Sequence, residues 1–256
     1  MRAAPVSLLT LIALACWSNA LLAADATCQA RSGSQVTPVV ELYTSEGCSS
    51  CPPADKWLSR LKAESSTFAL AFHVDYWDRL GWKDRFASPA YTQRQGQQQA
   101  SNGARFSYTP QVVVDGADRK DWSDLTAPPS RSSAAPASVA LTLLREGERF
   151  SATVQPVVMA QKPAATPARL AAYWAVTEQN HDTAVKAGEN QGAALRHDFV
   201  VREYKPVAAW PVDAAVPTTL LFSPSVAADP AHPRQINLVV VDAATGRPVQ
   251  ALKLGC

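Results

Sequence analysis

The chain is most constrained by a Cys-X-X-Cys segment, Cys48-Ser49-Ser50-Cys51, that lies between two patterned stretches of sequence. Before it comes a short apolar run, Val39 to Tyr43, which is typical of a buried β-strand. After it, apolar residues recur at i, i+3, i+4 and i+7, the spacing of one helix face: Ala54, Trp57, Leu58 and Leu61. Two cysteines at this spacing can close a small redox-active disulfide, so the first hypothesis is thiol–disulfide chemistry.

Residues 1–26 have the form of a secretory signal peptide, with Arg2 as the positive charge and an apolar stretch from Ala3 to Ala24. Cleavage is expected after Ala24 or Ala26, and the alternative is lipoprotein processing at Cys16. No later stretch reaches the roughly 18 apolar residues that a membrane-spanning helix needs. The protein is therefore expected to be periplasmic or secreted, with no membrane span in the mature chain.

Removal of the signal peptide takes Cys16 with it and leaves an even set of cysteines: Cys28, Cys48, Cys51 and Cys256. Because chain termini often lie near each other on a protein surface, a structural disulfide between Cys28 and Cys256 is plausible. The alternatives are two free thiols, or a relay that passes oxidation to Cys48 and Cys51.

The charge of the chain excludes some classes of partner. The formal net charge is +2 and charged residues make up 18% of the sequence, with no basic or acidic block. Nothing therefore indicates binding to nucleic acid or to an anionic membrane surface. The partner that the cysteine pair indicates is a protein or small molecule carrying a thiol or disulfide.

A segment rich in proline and serine, residues 126–137, predicts a linker between two domains. The ranges on either side, 36–125 and 138–256, are predicted to be an α/β domain and an all-β domain. About 230 residues remain after the signal peptide, which is ample for a core of normal stability.

The first half alternates strands and helices. A second apolar run, Phe68 to Val74, follows the predicted helix, and a strand–helix–strand order of this length requires two parallel strands. Their carboxyl ends meet at one edge of the sheet, so Cys48 and the segment Asp75 to Asp78 are expected on the same rim. A glutamine-rich helix, Pro89 to Gly103, is expected to expose much of its surface to water.

The next strand, Tyr108 to Gly116, is entered through Thr109-Pro110. A strand ending in Cys-X-X-Cys, followed by βα units and Thr-Pro, resembles the thioredoxin fold, which implies a cis Pro110 packed beside the disulfide. More narrowly, three motifs resemble the secreted bacterial family catalogued as domain of unknown function 1223: Glu41 to Asp55, His73 to Asp78, and Gly188-Glu189-Asn190. The resemblance covers nearly the whole mature chain and implies a fold without a reaction.

The start of a helix favours an anion, so Cys48 is the expected attacking thiolate and Cys51 the resolving thiol. Asp75 is a candidate proton acceptor for Cys51, with a helix cap as the alternative role. Catalysis is assigned to Cys48, Cys51, Asp75 and Pro110. Binding of a substrate is assigned to Trp77, Asp78 and Thr109.

No cofactor or metal is expected, because a zinc site would normally show a second pair of ligands at similar spacing. The alternative is Cu(I) held by Cys48, Cys51 and a histidine, which could be His73, His181, His197 or His232. His73 is the candidate that shares a strand face with Asp75, although a histidine in an apolar strand is more often a core residue.

Seven short runs in the second half alternate or are apolar, which predicts an antiparallel β-sandwich. The runs are Ser138 to Leu144, Arg149 to Pro156, Arg169 to Thr177, Asp198 to Tyr204, Thr218 to Phe222, Gln235 to Asp242 and Pro248 to Leu254. A polar loop from His181 to Asp198 either reaches the cysteine-bearing rim or is an ordinary solvated connection.

The fold class predicted from these patterns is an α/β thioredoxin-like domain followed by an all-β sandwich-like domain. The predicted function is an exported thiol–disulfide oxidoreductase that acts through Cys48 and Cys51. The alternatives are a periplasmic copper carrier and a non-catalytic interaction module whose cysteine pair is structural, so an enzymatic role is left open.

Overall fold

The computed structural model describes residues 28–63, 68–125, 135–157, 167–213 and 215–256. The predicted signal peptide, residues 1–26 with Cys16, lies outside the described residues, as do residues 126–134 of the predicted linker. Within the described ranges, no helix is both long and apolar enough to cross a bilayer.

The described residues form fourteen β-strands and two α-helices. The helices are α1 (Pro52–Arg60) and α2 (Pro89–Ser101). The strands are β1 (Cys28–Arg31), β2 (Val39–Thr44), β3 (Phe68–His73), β4 (Gln111–Val114), β5 (Ala117–Asp118), β6 (Val139–Glu146), β7 (Arg149–Pro156), β8 (Arg169–Glu178), β9 (His181–Ala184), β10 (Ala194–His197), β11 (Val200–Pro211), β12 (Thr218–Phe222), β13 (Arg234–Asp242) and β14 (Pro248–Leu254). Short 3-10 turns cover Leu61–Ala63, Asp78–Leu80 and Trp122–Asp124.

The largest element is an eight-stranded mixed sheet in the order β14-β13-β8-β11-β3-β2-β4-β5. Strands from both halves of the chain form it, and they meet where β11 pairs in parallel with β3 through Val200 and Ala71. The amide of Ala71 also donates to the carbonyl of Phe199 at 2.8 Å. The edge of β3 that does not pair with β2 is thus covered by β11, which lies more than a hundred residues later in the chain.

The predicted fold class, an α/β thioredoxin-like domain followed by an all-β sandwich-like domain, is therefore wrong. The protein is mostly β-strand, and its main sheet is shared by the two predicted parts. The reason is that an apolar or alternating pattern shows which faces of a strand are buried, but not which strand lies beside it. The ranges 36–125 and 138–256 stay a prediction as domain boundaries.

A second, four-stranded sheet in the order β1-β6-β7-β12 packs on the part of the large sheet formed by β8, β13 and β14. Its inward-facing residues alternate along the strands, as in Leu141, Leu143 and Phe150, and they meet Trp174 and Leu238 of the large sheet. A β-rich arrangement of two packed sheets is therefore present, as the alternation in the second half indicates.

Strand β2 has a helix on each of its faces. Val40 and Leu42 face α1, where Trp57 and Leu58 are buried as the helical spacing predicts. The opposite face of β2, which includes Glu41, is turned towards α2. This places a charged residue inside the apolar strand that carries the cysteine segment.

Glu41 is buried and is held by four other buried side chains, one of which, Gln98, donates to its carboxylate at 3.4 Å. Its carboxylate forms an ion pair with Arg94 of α2 and accepts hydrogen bonds from Tyr173 of β8, at 2.6 Å, and from Tyr43, at 2.5 Å. Burial alone would raise the pKa of Glu41, but Arg94 and these hydrogen bonds outweigh it and hold the pKa below its ordinary value of 4.5. The carboxylate is therefore charged and joins β2, α2 and β8.

We expect Glu41→Gln to lower the free energy of unfolding by about 3 to 5 kcal/mol at pH 7, because it leaves Arg94 buried and unpaired. Since the folded pKa of Glu41 is lowered, its stabilisation is complete above the unfolded pKa and is lost as the pH falls through the folded pKa. The difference between wild type and variant should therefore shrink below pH 4.5. Urea denaturation between pH 7 and acid measures it.

The matched control is Glu146→Gln, at the exposed end of β6, with an expected change below about 0.5 kcal/mol. Equal losses in the two variants, or a difference that stays constant with pH, would contradict the role of Glu41.

Cys28 at the start of β1 and Cys256 beyond β14 are paired, with their Cα atoms 6.3 Å apart and a sequence separation of 228. The bond joins the small sheet to the large one.

A closed loop of this length lowers the entropy of the unfolded chain. The free energy of unfolding of the double variant Cys28→Ser/Cys256→Ser should therefore be lower by about 2 to 5 kcal/mol. Denaturation of wild type with and without reductant gives the comparison, and a variant as stable as the oxidised protein would refute the expectation.

Candidate active site at the Cys48–Cys51 disulfide

The two cysteines lie in the turn between β2 and α1. Cys51 is the N-cap residue of α1, and it is disulfide-bonded to Cys48 with a Cα–Cα distance of 5.4 Å. Both cysteines are fully buried, whereas Ser49 and Ser50 between them are exposed. Gly47, just before the cysteines, allows Trp77 to lie close to the backbone. A Cβ at this position would lie 3.2 Å from the Cβ of Trp77.

Hydroxyl groups surround the Cys48 sulfur. The Thr109 hydroxyl donates to the Cys48 Sγ at 3.3 Å, and the Ser50 Oγ lies 3.4 Å from it. Trp77 Nε1 donates to the Thr109 Oγ1 at 2.8 Å and so orients that hydroxyl. The Thr109–Pro110 peptide bond is cis. Donors aimed at a sulfur favour its thiolate when the disulfide is reduced.

The structure thus brings Cys48, Cys51, Trp77, Thr109 and, through its peptide bond with Thr109, Pro110 to one place. These are five of the residues to which the sequence assigns catalysis or substrate binding.

The two predicted aspartates have other partners. Asp75 accepts a hydrogen bond from the Thr92 hydroxyl of α2 at 2.5 Å. Asp78 accepts from the backbone amide of Asp84 at 3.1 Å and closes the loop between these residues. Burial raises the pKa of Asp78. The described bonds of both carboxylates therefore organise the rim of the site and do not reach a cysteine.

The loop between β9 and β10 contacts the cysteine segment. The Asn190 side chain donates to the carbonyl oxygens of Glu46 and Cys48, both at 2.9 Å. The Ser49 amide donates to the Glu189 carboxylate at 3.1 Å, and hydrogen bonding to Ser49 lowers the pKa of Glu189. The sequence allows this polar loop either to reach the cysteine-bearing rim or to be an ordinary solvated connection. In the structure it reaches the rim and bonds to the cysteine segment.

A cluster of five buried ionisable residues lies on the interior side of the cysteine segment: Glu46, Asp55, His73, Asp84 and His197. His73 Nδ1 lies 2.6 Å from the Asp84 carboxylate. Burial alone would lower the pKa of His73, but Asp84 outweighs it and raises that pKa; His73 in turn lowers the pKa of Asp84 against the effect of burial.

Sequence reasoning missed this cluster. Strand alternation places His73 opposite Thr44, on the α1 side of the sheet, but no periodic signal connects it with His197, which β10 supplies. Glu46 is also buried, and its carboxylate accepts a hydrogen bond from Trp82 Nε1 at 2.7 Å.

We expect Asn190→Ala to destabilise the cysteine segment by about 1 to 3 kcal/mol, because two carbonyls lose a shared donor. Local opening should become more frequent, and dithiothreitol should reduce the Cys48–Cys51 bond about 5- to 150-fold faster, the factor that this free energy gives. Quenched-flow reduction with mass spectrometry measures this. Gln191→Ala, at an exposed position in the same loop, is the control, and unchanged reduction in Asn190→Ala would contradict the prediction.

Fold and site together define a β-rich protein of two packed sheets with a Cys-X-X-Cys disulfide where a central strand turns into a helix. The chain belongs to the family described as protein of unknown function DUF1223, whose family model matches residues 39–241. This confirms the family resemblance of the sequence motifs, whereas the thioredoxin fold is not confirmed.

Two solved structures are similar to this chain. One is a protein from Agrobacterium tumefaciens, with 27% sequence identity and a TM-score of 0.61, over 87% of this chain and 96% of that one. The other is HBP35 of Porphyromonas gingivalis, with 15% identity and a TM-score of 0.59, over 86% of this chain and 75% of that one. The second likeness concerns the fold alone. No functionally curated protein matches the chain significantly.

Proposed function

We propose that the protein is an exported thiol–disulfide oxidoreductase that acts through Cys48 and Cys51. The observation that carries the proposal is the chemical setting of the Cys48 sulfur, which has two hydroxyl groups within 3.4 Å and lies just before the start of α1. The Thr109 hydroxyl, which donates to this sulfur, and the helix N-terminus both stabilise a thiolate, and the thiolate is the reactive form.

In the reduced protein, the Cys48 thiolate attacks one sulfur of a partner disulfide. The partner's S–S bond breaks, a mixed disulfide forms, and the released partner thiolate takes a proton from water. Cys51 then loses its proton to solvent and attacks the Cys48 sulfur, which closes the Cys48–Cys51 bond and releases the partner as a dithiol. Each exchange moves two electrons from the protein to the partner, and the reverse sequence oxidises a partner dithiol.

Access to the sulfurs sets a condition on this chemistry. Both cysteines are fully buried in the disulfide form, so a partner reaches them only after neighbouring chain moves. The segment bonded to the cysteine turn is the one containing Glu189 and Asn190. Opening of that segment is therefore part of the proposed exchange. The requirement for opening favours partners that can displace Glu189 from the Ser49 amide.

An exported location agrees with the cysteine usage. Two disulfides in one chain are typical of an oxidising compartment. We accordingly propose the periplasm or the extracellular space, in line with the signal peptide expected at residues 1–26.

The test is alkylation of the fully reduced protein as a function of pH, with mass-spectrometric mapping of each cysteine. The pKa of the Cys48 thiol is expected below the ordinary range of cysteine. Thr109→Val removes one donor, so alkylation of Cys48 near pH 6 should slow about three- to tenfold. Thr245→Val, in the turn between β13 and β14, is the matched control and should leave the rate unchanged.

Two further measurements separate the proposal from its rivals. A Cys51→Ser variant should accumulate a mixed disulfide with a peptide disulfide, which a purely structural cysteine pair would not form. Alkylation in the presence of Cu(I) and excess glutathione tests the copper carrier, which would keep the ion and protect both cysteines, whereas the oxidoreductase should leave Cys48 reactive. An ordinary thiol pKa with exchange no faster than a model thiol would rule out the oxidoreductase.

A further inference from the structure

Three metal-binding side chains converge behind the cysteine turn: Asp55 of α1, His73 of β3 and His197 of β10. Each offers a ligand atom, and these atoms all lie within 4.8 Å of one another. The three residues are between 0 and 7% exposed. A buried group of two imidazoles and one carboxylate costs free energy unless each polar atom has a partner.

Hydrogen bonds orient two of the three side chains, and the ring of His197 lies close to two carboxylates without a hydrogen bond to either. One Asp55 oxygen, Oδ2, accepts from the Thr44 hydroxyl at 3.0 Å. His73 Nδ1 lies 2.6 Å from the Asp84 carboxylate. On His197, Nε2 lies 3.6 Å from Glu46 Oε1, and Nδ1 lies 3.8 Å from Asp55 Oδ1.

These contacts leave ligand atoms without hydrogen bonds. Among the described residues, His73 Nε2, both ring nitrogens of His197 and Glu46 Oε1 are buried and have no hydrogen-bond partner. The free nitrogen of His73 is the one opposite its bond to Asp84. An imidazole that binds a metal through one nitrogen commonly presents the other to a carboxylate, which is the relation of His73 to Asp84.

The charge of the cluster also needs a counterion. Glu46, Asp55 and Asp84 are three buried carboxylates whose only described cationic partners are the imidazoles of His73 and His197. In the described part of the chain, no lysine or arginine forms an ion pair with any of the three. A divalent cation would neutralise this excess of negative charge.

We propose that Asp55, His73 and His197 bind one divalent transition-metal ion, with zinc as its representative. Imidazole nitrogens suit zinc and its neighbours better than magnesium or calcium, which prefer oxygen ligands. Tetrahedral bonds of about 2.1 Å place ligand atoms about 3.4 Å apart. Side-chain rotation that brings the present atoms closer by up to about 1.4 Å therefore closes the site around the ion.

Three protein ligands leave a fourth position for water. The site goes beyond the proposed thiol chemistry, because it uses neither sulfur and binds its ion while the Cys48–Cys51 disulfide is closed. Asp55 nevertheless lies one helical turn after Cys51, and Glu46 lies two residues before Cys48. The ion would hold α1, β3 and β10 together directly behind the cysteine turn.

The experiment uses the full-length oxidised protein, first stripped with a chelator and then titrated with Zn²⁺ against a fluorescent competitor. We expect one Zn²⁺ per chain with a dissociation constant below about 1 μM, and a higher unfolding temperature on binding. Asp55→Asn and His197→Gln should each weaken binding at least about tenfold. His232→Gln and the double variant Cys48→Ser/Cys51→Ser should bind as tightly as wild type.

The Zn K-edge absorption spectrum of the wild-type protein provides a measurement that needs no variant. Nitrogen and oxygen ligands near 2.0 to 2.1 Å are expected, with no sulfur near 2.3 Å. Sulfur in the spectrum, binding that disappears with the cysteines, or no binding at 10 μM Zn²⁺ would each overturn the site. Thiol exchange by Cys48 is measured separately, so either proposal fails without the other.

Discussion

The buried carboxylate of Glu41 is the interaction on which the arrangement of the molecule depends. It lies in the strand that leads into the cysteine turn, it pairs with Arg94 of α2, and it accepts a hydrogen bond from Tyr173 of β8. Desolvation of a carboxylate and a guanidinium is costly, so the pair is favourable only when every partner is in place. The carboxylate of Glu41 can therefore be buried in β2 only when β8, which follows much later in the chain, lies in its native position.

The cysteine site follows the same principle. Thr109 arrives from the segment before β4, and Asn190 arrives from the loop between β9 and β10; both bond to Cys48. The covalent pair itself is local, but the groups that set the reactivity and access of its sulfur come from distant parts of the chain. A change that loosens the loop between β9 and β10 should therefore alter the reactivity of the Cys48 sulfur while both cysteines stay in the sequence.

The sequence predicted local features well and pairings poorly. Most strand bounds of the second half, the apolar face of α1 and the position of the disulfide follow from periodicity and spacing. The strands β9 and β10, however, lie in the segment predicted as a polar loop, and β11 continues past its predicted end at Tyr204 to Pro211. Periodicity carries no information about neighbours across a sheet, so it does not show that β11 pairs with β3. The buried face of α2 is polar, with Arg94, Gln95 and Gln98, so its pattern favoured a solvent-exposed helix. Glu41 could not be recognised as a buried ion pair without its partner.

The long separation between bonded groups also determines the order in which the molecule can mature. Cys48 and Cys51 are three residues apart, so the cost in chain entropy of bringing them together is small even in the unfolded chain. Cys28 and Cys256 are separated by 228 residues, and their sulfurs meet only when the two sheets have packed. In the unfolded chain Cys28 lies much nearer along the sequence to Cys48 and Cys51 than to its native partner, so correct pairing of all four cysteines depends on folding before oxidation.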